Sequence, residues 1–207
     1  MKITDIKKSA NSKSDIYIDD EYAFFLYQSD IAKTGIKSGL EIKKEEYEEL
    51  KKIVFKNALG SALRLVCRCD YTVKMIKEKL CYKKYPSDAV KYATDYLMEN
   101  RYVDDYTYAR KFIKEAFEVK KKGKAYVKAE LLRRGISKEV VEELSEKYYD
   151  NDEIITITDK KYKTLIKDKE TPDFKDLNKL KNYLLRQGFS YEEIVRAIET
   201  VKESYEH

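Results

Sequence analysis

Apolar positions along most of the chain fall into one register that occurs three times. The segments Met75-Ile76-Lys77-Glu78-Lys79-Leu80, Tyr126-Val127-Lys128-Ala129-Glu130-Leu131 and Lys179-Leu180-Lys181-Asn182-Tyr183-Leu184 each end on a key leucine. Four residues before that leucine stands Ile76, Val127 or Leu180; five after it, Tyr85, Ile136 or Phe189; ten after it, Val90, Val141 or Ile194. A spacing of four places two side chains on one face of a helix, and the later positions predict a tight turn into a second helix. The key leucines lie 51 and 53 residues apart, a period typical of helical repeats. Gly135 and Gly188 precede Ile136 and Phe189, where a left-handed helix C′ position suits glycine. Ser137 and Ser190 follow as N-caps, and Ser190 with Glu193 spells a capping box. The first copy has Lys84 and Pro86 in these places, so its turn is expected to be built differently.

A further amphipathic helix precedes each pair. In the second copy Ala109, Phe112, Ile113, Ala116 and Phe117 keep the i, i+3, i+4, i+7, i+8 spacing, with Asp104 or Asp105 as cap. Ala58, Ala62, Leu63 and Val66 mark the same helix in the first copy, and Tyr162, Leu165 and Ile166 in the third. The N-terminal stretch differs. Ile16-Tyr17-Ile18 and Tyr22-Ala23-Phe24-Phe25-Leu26 predict two strands joined by the acidic turn Asp19-Asp20-Glu21, and Ile3-Thr4-Asp5-Ile6 offers a third. Gly35 and Gly39 bracket a short turn before a charged helix over 43–52. So few strands need a helix or the next unit to pack against. The expected fold is mostly α: a small β-rich head over 1–56, then three-helix repeats over 57–104, 105–150 and 151–207. Stacked units of this kind form an elongated, curved array that acts by interaction.

With 43% apolar and 39% charged residues, the chain is too apolar to be disordered and too charged for a membrane protein. It has no run approaching the ~18–20 apolar residues of a membrane span and no signal-peptide core after Met1, so a cytoplasmic location is expected. Cys67, Cys69 and Cys81 form no metal-ligand pattern, and the only histidine is His207; reduced structural thiols are expected, with Cys67 and Cys69 on opposite sides of a helix. Neither a phosphate-cradling glycine loop nor an internal histidine for acid–base work is present. Asp19-Asp20-Glu21 and Asp104-Asp105 are the tight carboxylate clusters, and a hairpin turn and a helix N-terminus account for them. No catalytic residue, metal or cofactor is expected.

The formal charge of +5 is modest, but its distribution is uneven. Residues 106–130 hold 8 basic and 3 acidic side chains, while 1–56 hold 11 of each. If the first helix of the second repeat extends far enough, Arg110, Lys114 and Lys121 fall near one line on it. Lys122 and Lys124 sit in the linker 120–124, Lys124 and Lys128 share a face of the next helix, and Arg133-Arg134 close it. Such a run is commonly a solvated face. An uncompensated stripe, however, repels itself unless a polyanion or acidic partner relieves it, and phosphate contacts would be salt-dependent. Tyr108 and Tyr126 could stack on bases or pack between helices. Arg64, Arg68 and Lys77 extend the candidate contact set into the first repeat. A stand-alone DNA- or RNA-binding module using this stripe is the alternative reading.

Three segments carry a family resemblance: Ala62-Leu63-Arg64-Leu65 leading to Asp70-Tyr71-Thr72 and Lys79-Leu80; Tyr102-Val103-Asp104-Asp105-Tyr106-Thr107-Tyr108-Ala109-Arg110; and Lys128-Ala129-Glu130-Leu131-Leu132-Arg133-Arg134-Gly135-Ile136. In order and spacing the chain resembles the RecX regulatory proteins over about 57–203, and its head resembles the N-terminal extension of Firmicute-type members. Arg101 stands where that family commonly has glycine, and Met75 where glutamate is usual. The resemblance implies tandem three-helix modules lying in the groove of the RecA filament on single-stranded DNA. It also implies inhibition of ATP hydrolysis, strand exchange and coprotease function, with weak direct DNA binding in some members. A monomeric partner of RecA, active in recombination, DNA repair and the SOS response and lacking a membrane association, is the resulting expectation.

Overall fold

In a computed structural model, residues 1–150, 152–166 and 172–205 are described; His207 lies outside them. The chain divides into two compact units, Met1–Asp104 and Asp105–His207.

The first unit opens with three antiparallel strands in chain order, β1 (Ile3–Ser9), β2 (Lys13–Ile18) and β3 (Glu21–Tyr27). Asp19 and Asp20 make the β2–β3 turn with φ of 49° and 68°, the left-handed pair that a two-residue hairpin requires. Their polar groups are used in the fold: an Asp19 carboxylate oxygen accepts from the Lys2 amide at 2.8 Å, and the Asp20 amide donates to the Thr4 hydroxyl at 3.0 Å. On β2, Ser14, Ile16 and Ile18 are buried in alternation. On β3, Phe24, Phe25 and Leu26 are buried in succession, so that strand is covered on both faces. Phe24 faces Tyr47 at a ring separation of 6.2 Å and Phe25 faces Tyr85 at 4.8 Å. The head therefore packs on both its own helix and the first repeat.

The short helix α1 (Gln28–Thr34) was not legible in the pattern, because it buries no side chain. Next comes α2 (Lys44–Val66), a single helix of 23 residues. The charged helix expected at 43–52 and the first helix of the first repeat are thus one element. Leu50, Val54, Ala58, Ser61 and Ala62 form its continuous buried stripe, which crosses residue 56 without a break. With α3 (Val73–Tyr82) and α4 (Ser87–Glu99) it completes one core running from Ile3 to Val103.

The second unit contains α5 (Asp105–Lys114), which widens into a π-helical turn over Glu115–Val119, then α6 (Lys124–Arg133) and α7 (Lys138–Tyr148). It continues with α8 (Asp152–Leu165), α9 (Phe174–Gln187) and α10 (Tyr191–Glu203). Each trio encloses its own core, one around Ile113, Val127, Leu131 and Leu144, the other around Leu180, Leu184, Ile194 and Val201. All twelve positions of the threefold apolar register are buried. Among the described residues, no helix is long and apolar enough to cross a membrane.

The helix–helix turns correct one expectation. Phe189 donates its amide to the Leu184 carbonyl at 3.3 Å, Ile136 to Leu131 at 3.1 Å, and Tyr85 to Leu80 at 3.2 Å. Gly188, Gly135 and Lys84 precede these donors with φ of 94°, 87° and 66°. The first copy therefore uses the same six-residue closure as the others, with lysine forced into the glycine conformation. Arg101 does the same at the end of α4: its φ is 57°, and the Tyr102 amide reaches the Leu97 carbonyl at 2.8 Å. Ser137 and Ser190 cap α7 and α10 through their hydroxyls, and Ser190 with Glu193 completes the capping box.

Candidate interaction surface

Two turns of α6 and the linker before it position the basic stripe, and the structure shows what the charges meet. Lys124 and Lys128 lie one turn apart on α6, and Glu146 and Glu142 lie one turn apart on the antiparallel α7. The two lysines pair with these two glutamates in order, forming a ladder between the helices. Arg133 and Arg134 both reach Glu130 of their own helix at 3.0 Å. Arg134 also donates to the Tyr108 hydroxyl at 3.0 Å and lies 4.1 Å from the Phe112 ring centroid. The premise of an uncompensated stripe is therefore wrong for these residues. The 8-to-3 excess counts neighbours along the chain, whereas the carboxylates offsetting Lys121, Lys124 and Lys128 arrive from α7 and α8.

The alignment of Lys121 with Arg110 and Lys114 also fails. The π-helical turn changes the helical phase and α5 ends, so Lys121 stands past it at φ 50°. Its ammonium pairs with Glu153 of α8, and Lys122 donates to the Gln187 side chain at 2.7 Å. Both lysines face the seam between the second and third repeats. Here the start of α6 meets the end of α9 backbone to backbone: the Gly123 amide donates to the Gln187 carbonyl at 2.8 Å, and the Ala125 amide to the Gly188 carbonyl at 3.1 Å. Each helix end thereby satisfies polar groups that it cannot satisfy alone. The approach is close enough that a Cβ on Gly123 would stand 2.2 Å from the Gly188 carbonyl, and one on Gly188 would stand 2.3 Å from the Tyr126 Cβ.

Tyr149 closes the seam. Its hydroxyl donates to Glu193 at 2.6 Å and its ring meets Phe117 at 5.1 Å. Burial, reinforced by the Glu193 carboxylate, pushes the phenol well above its ordinary range. Burial also pushes Glu193 up, but donation from the Tyr149 hydroxyl and from Ser190 outweighs it and holds the carboxyl below its usual value. Tyr126 packs over Gly188 and under Lys122, whose ammonium lies 5.0 Å from its ring centroid. Tyr108 and Tyr126 are thus both engaged in helix packing.

Five candidate cations stay exposed without a carboxylate partner among the described residues. In the second unit these are Arg110 and Lys114, one turn apart on α5, with Lys114 lying 5.2 Å from the Tyr148 ring centroid. In the first unit they are Arg64, Arg68 and Lys77. Arg64 donates to the Ser61 hydroxyl at 3.1 Å; that hydroxyl meets the Tyr85 hydroxyl at 2.9 Å, and Tyr85 donates to the Asn57 carbonyl at 3.0 Å. The three cysteines form no disulfide and are exposed; Cys81 lies on α3, and α2 ends at Val66 before the other two, so no helix sets Cys67 against Cys69. Among the described residues no group of three or more His, Cys, Asp or Glu side chains converges to hold a metal.

Comparison with known proteins fits this architecture. Residues 104–144 match a family model described as the second three-helix domain of RecX, and residues 149–198 match the one described as its third. The regulatory protein RecX of Caldanaerobacter subterraneus subsp. tengcongensis is 32% identical over 195 residues, spanning 93% of this chain and 95% of that one. The chain belongs to the RecX family. The regulatory protein RecX of Clostridium beijerinckii is 31% identical over 201 residues, covering 95% of this chain and 93% of the relative. A crystal structure of regulatory protein RecX shares the fold, with a TM-score of 0.63 at 20% identity and 98% coverage of both chains. That of RecX from Lactobacillus salivarius has a TM-score of 0.62 at 22% identity, over 72% of this chain and 97% of that one. Within this RecX-family chain, the residues that sequence reasoning missed are the acids of the ladder and seam. One signal was available: Lys124 and Lys128 against Glu142 and Glu146 have the matched four-residue spacing of an antiparallel helix pair.

Proposed function

We propose that this chain is a non-catalytic negative regulator of RecA. In this reading it lies along the groove of the RecA filament on single-stranded DNA, and its repeats over 57–104, 105–150 and 151–207 act as successive contact modules. Relatives that span more than nine-tenths of the chain are named regulatory proteins, and that observation carries the reading. Several modest contacts on one chain add through effective concentration. Occupying the groove obstructs a second DNA partner, and preference for one subunit geometry shifts the filament away from its active state, lowering ATP hydrolysis, strand exchange and coprotease function. Of the candidate residues, Arg110 and Lys114 in the second unit and Arg64, Arg68 and Lys77 in the first supply the primary contacts, because they are exposed and their charges are not already offset by carboxylates. Lys121, Lys122, Lys124, Lys128, Arg133 and Arg134 act mainly by holding the second unit in shape. The deciding assay is RecA ATPase on single-stranded DNA with the protein titrated in. Saturable inhibition is expected; unchanged turnover at a several-fold molar excess over RecA rules the reading out.

A further inference from the structure

The first unit has a cationic and aromatic surface of its own, apart from the stripe. The β1–β2 hairpin and the α3–α4 turn enclose a cleft of about 200 Å³, lined among others by Lys13, Asp15, Phe25, Tyr82, Lys83 and Lys84. Three ammonium groups share this cleft with one carboxylate, and Lys84 approaches Asp15 only to 4.0 Å. Lys13 lies 3.8 Å from the Phe25 ring centroid. Burial lowers its pKa; Tyr27 and Asp15 act against that shift, and repulsion from Lys83 and Lys84 acts with it. Added negative charge would relieve that repulsion. The turn is held firmly against the sheet: Lys13 donates to the Lys83 carbonyl at 3.4 Å and the Tyr22 hydroxyl to the Lys84 carbonyl at 3.3 Å.

At the mouth of the cleft Tyr82 is 90% exposed. The corresponding turns of the other repeats read Arg133-Arg134-Gly135 and Arg186-Gln187-Gly188, whereas this one reads Tyr82-Lys83-Lys84. Only here does an aromatic ring lead the turn, and only here does a lysine take the left-handed position that the other copies give to glycine. An exposed ring beside clustered lysines on an anchored turn matches the two chemical features of a nucleotide, a flat base and a phosphate.

We propose that this cleft and Tyr82 form a binding site for single-stranded nucleic acid. A backbone phosphate sits among Lys13, Lys83 and Lys84, and an adjacent base stacks on Tyr82. An acidic peptide would satisfy the lysines but leave the ring in water, and a duplex offers no free base face, so a single strand is the better match. Stacking on Tyr82 and charge on a phosphate are both indifferent to base identity, so these two contacts confer no sequence preference. The site requires no RecA and stands apart from the proposed function.

The test is fluorescence anisotropy of the full chain with a labelled oligo-dT of about 20 nucleotides at 50 and 200 mM salt, without RecA. One neutralised phosphate on a single strand gives a salt slope of about −0.7, a fall in affinity of roughly threefold between these salts. Tyr82→Ala, a change at a solvated ring, should weaken binding roughly fivefold or more while leaving the salt slope in place. Lys84→Gly should weaken binding and flatten the slope while raising the melting temperature, because it relieves the left-handed lysine. A purely structural role for Lys84 would move affinity and stability the same way. The proposal is overturned by absence of binding at 50 mM salt or by wild-type affinity in both variants. Displacement of the oligonucleotide by polyglutamate combined with indifference to Tyr82→Ala would also overturn it, by assigning the cleft to an acidic protein segment.

Discussion

Gly123→Ala tests whether the second and third repeats are locked together by their backbones. Gly123 caps α6 with φ −75°, a conformation open to alanine, so the local effects of the change are small and opposed. Restricting the unfolded chain gains about 0.4–1 kcal/mol, and replacing a glycine N-cap by alanine costs a similar amount. Without the seam the variant would be nearly neutral. With it, the new methyl would stand 2.2 Å from the Gly188 carbonyl carbon and oxygen and 2.4 Å from the Phe189 nitrogen. All three are backbone atoms, which cannot turn aside as a flexible side chain can. Relieving the overlap moves α6 from α9 by more than an ångström and breaks both hydrogen bonds, from Gly123 to Gln187 and from Ala125 to Gly188. At about 0.5–1.5 kcal/mol each, with packing lost around Tyr126, the expected cost is roughly 2–3 kcal/mol.

Hydrogen exchange by mass spectrometry gives the local readout: peptides covering Ala125 should lose protection, while those in α3 and α4 keep theirs. Gly60→Ala is the control. Gly60 lies inside α2, where an added Cβ meets only the end of the Arg64 side chain at 3.6 Å, so this substitution should stabilise by about 0.5–1 kcal/mol. Opposite signs for the two glycines are the signature. Unchanged exchange and melting in Gly123→Ala would refute the backbone seam.

Arg101→Gly should stabilise the first unit by about 0.5–1 kcal/mol, read as a higher urea midpoint at unchanged slope, because the left-handed conformation at φ 57° costs a side-chain-bearing residue about 1–2 kcal/mol and glycine returns part of that as entropy. Leu131→Ala empties a fully buried position and should cost about 2–5 kcal/mol in a thermal melt. Arg110→Glu with Lys114→Glu should weaken RecA inhibition without lowering the melting temperature, whereas Lys124→Glu with Lys128→Glu should lower the melting temperature by setting like charges against Glu146 and Glu142. The Lys124 ammonium holds Glu146 below its ordinary 4.5, and Glu193 is also held below it, because its hydrogen bonds outweigh burial. Their contribution to stability is therefore complete above about pH 4.5 and lost as pH falls through the lower folded values; melts at pH 7 and 3.5 should differ, and less so in Tyr149→Phe.

The apolar register was legible because burial leaves a periodic trace: all twelve positions read from spacing are inside. The caps at Ser137 and Ser190 were legible for a similar reason, since their chemistry is local. Features that depend on partners distant in sequence were not. Nothing near Lys121 announces Glu153, and nothing near Gly123 announces the carbonyls of Gln187 and Gly188. The turn at Lys84 went unread because residue type was taken to decide backbone conformation. There, a closure set by Leu80 and Tyr85 prevails over the preference of the residue between them.

That last case bears on how a basic segment should be read. Lys124 and Lys128 look like a docking surface by composition and behave as helix-pairing residues in space, because carboxylates sit at the matching register of the next helix. Lys13, Lys83 and Lys84 attract no notice by composition, being spread over a strand and a turn in a segment of nearly balanced charge, yet they converge on one cleft with a single aspartate. A cation belongs to a binding surface when the fold leaves its charge unanswered, and that is a property of the spatial neighbourhood. It follows that reversing a lysine inside a satisfied pair mainly costs stability, whereas neutralising one in an unsatisfied cluster mainly costs affinity. Measuring both quantities on one variant separates the two roles, and Lys84→Gly, expected to move them in opposite directions, is the sharpest single case.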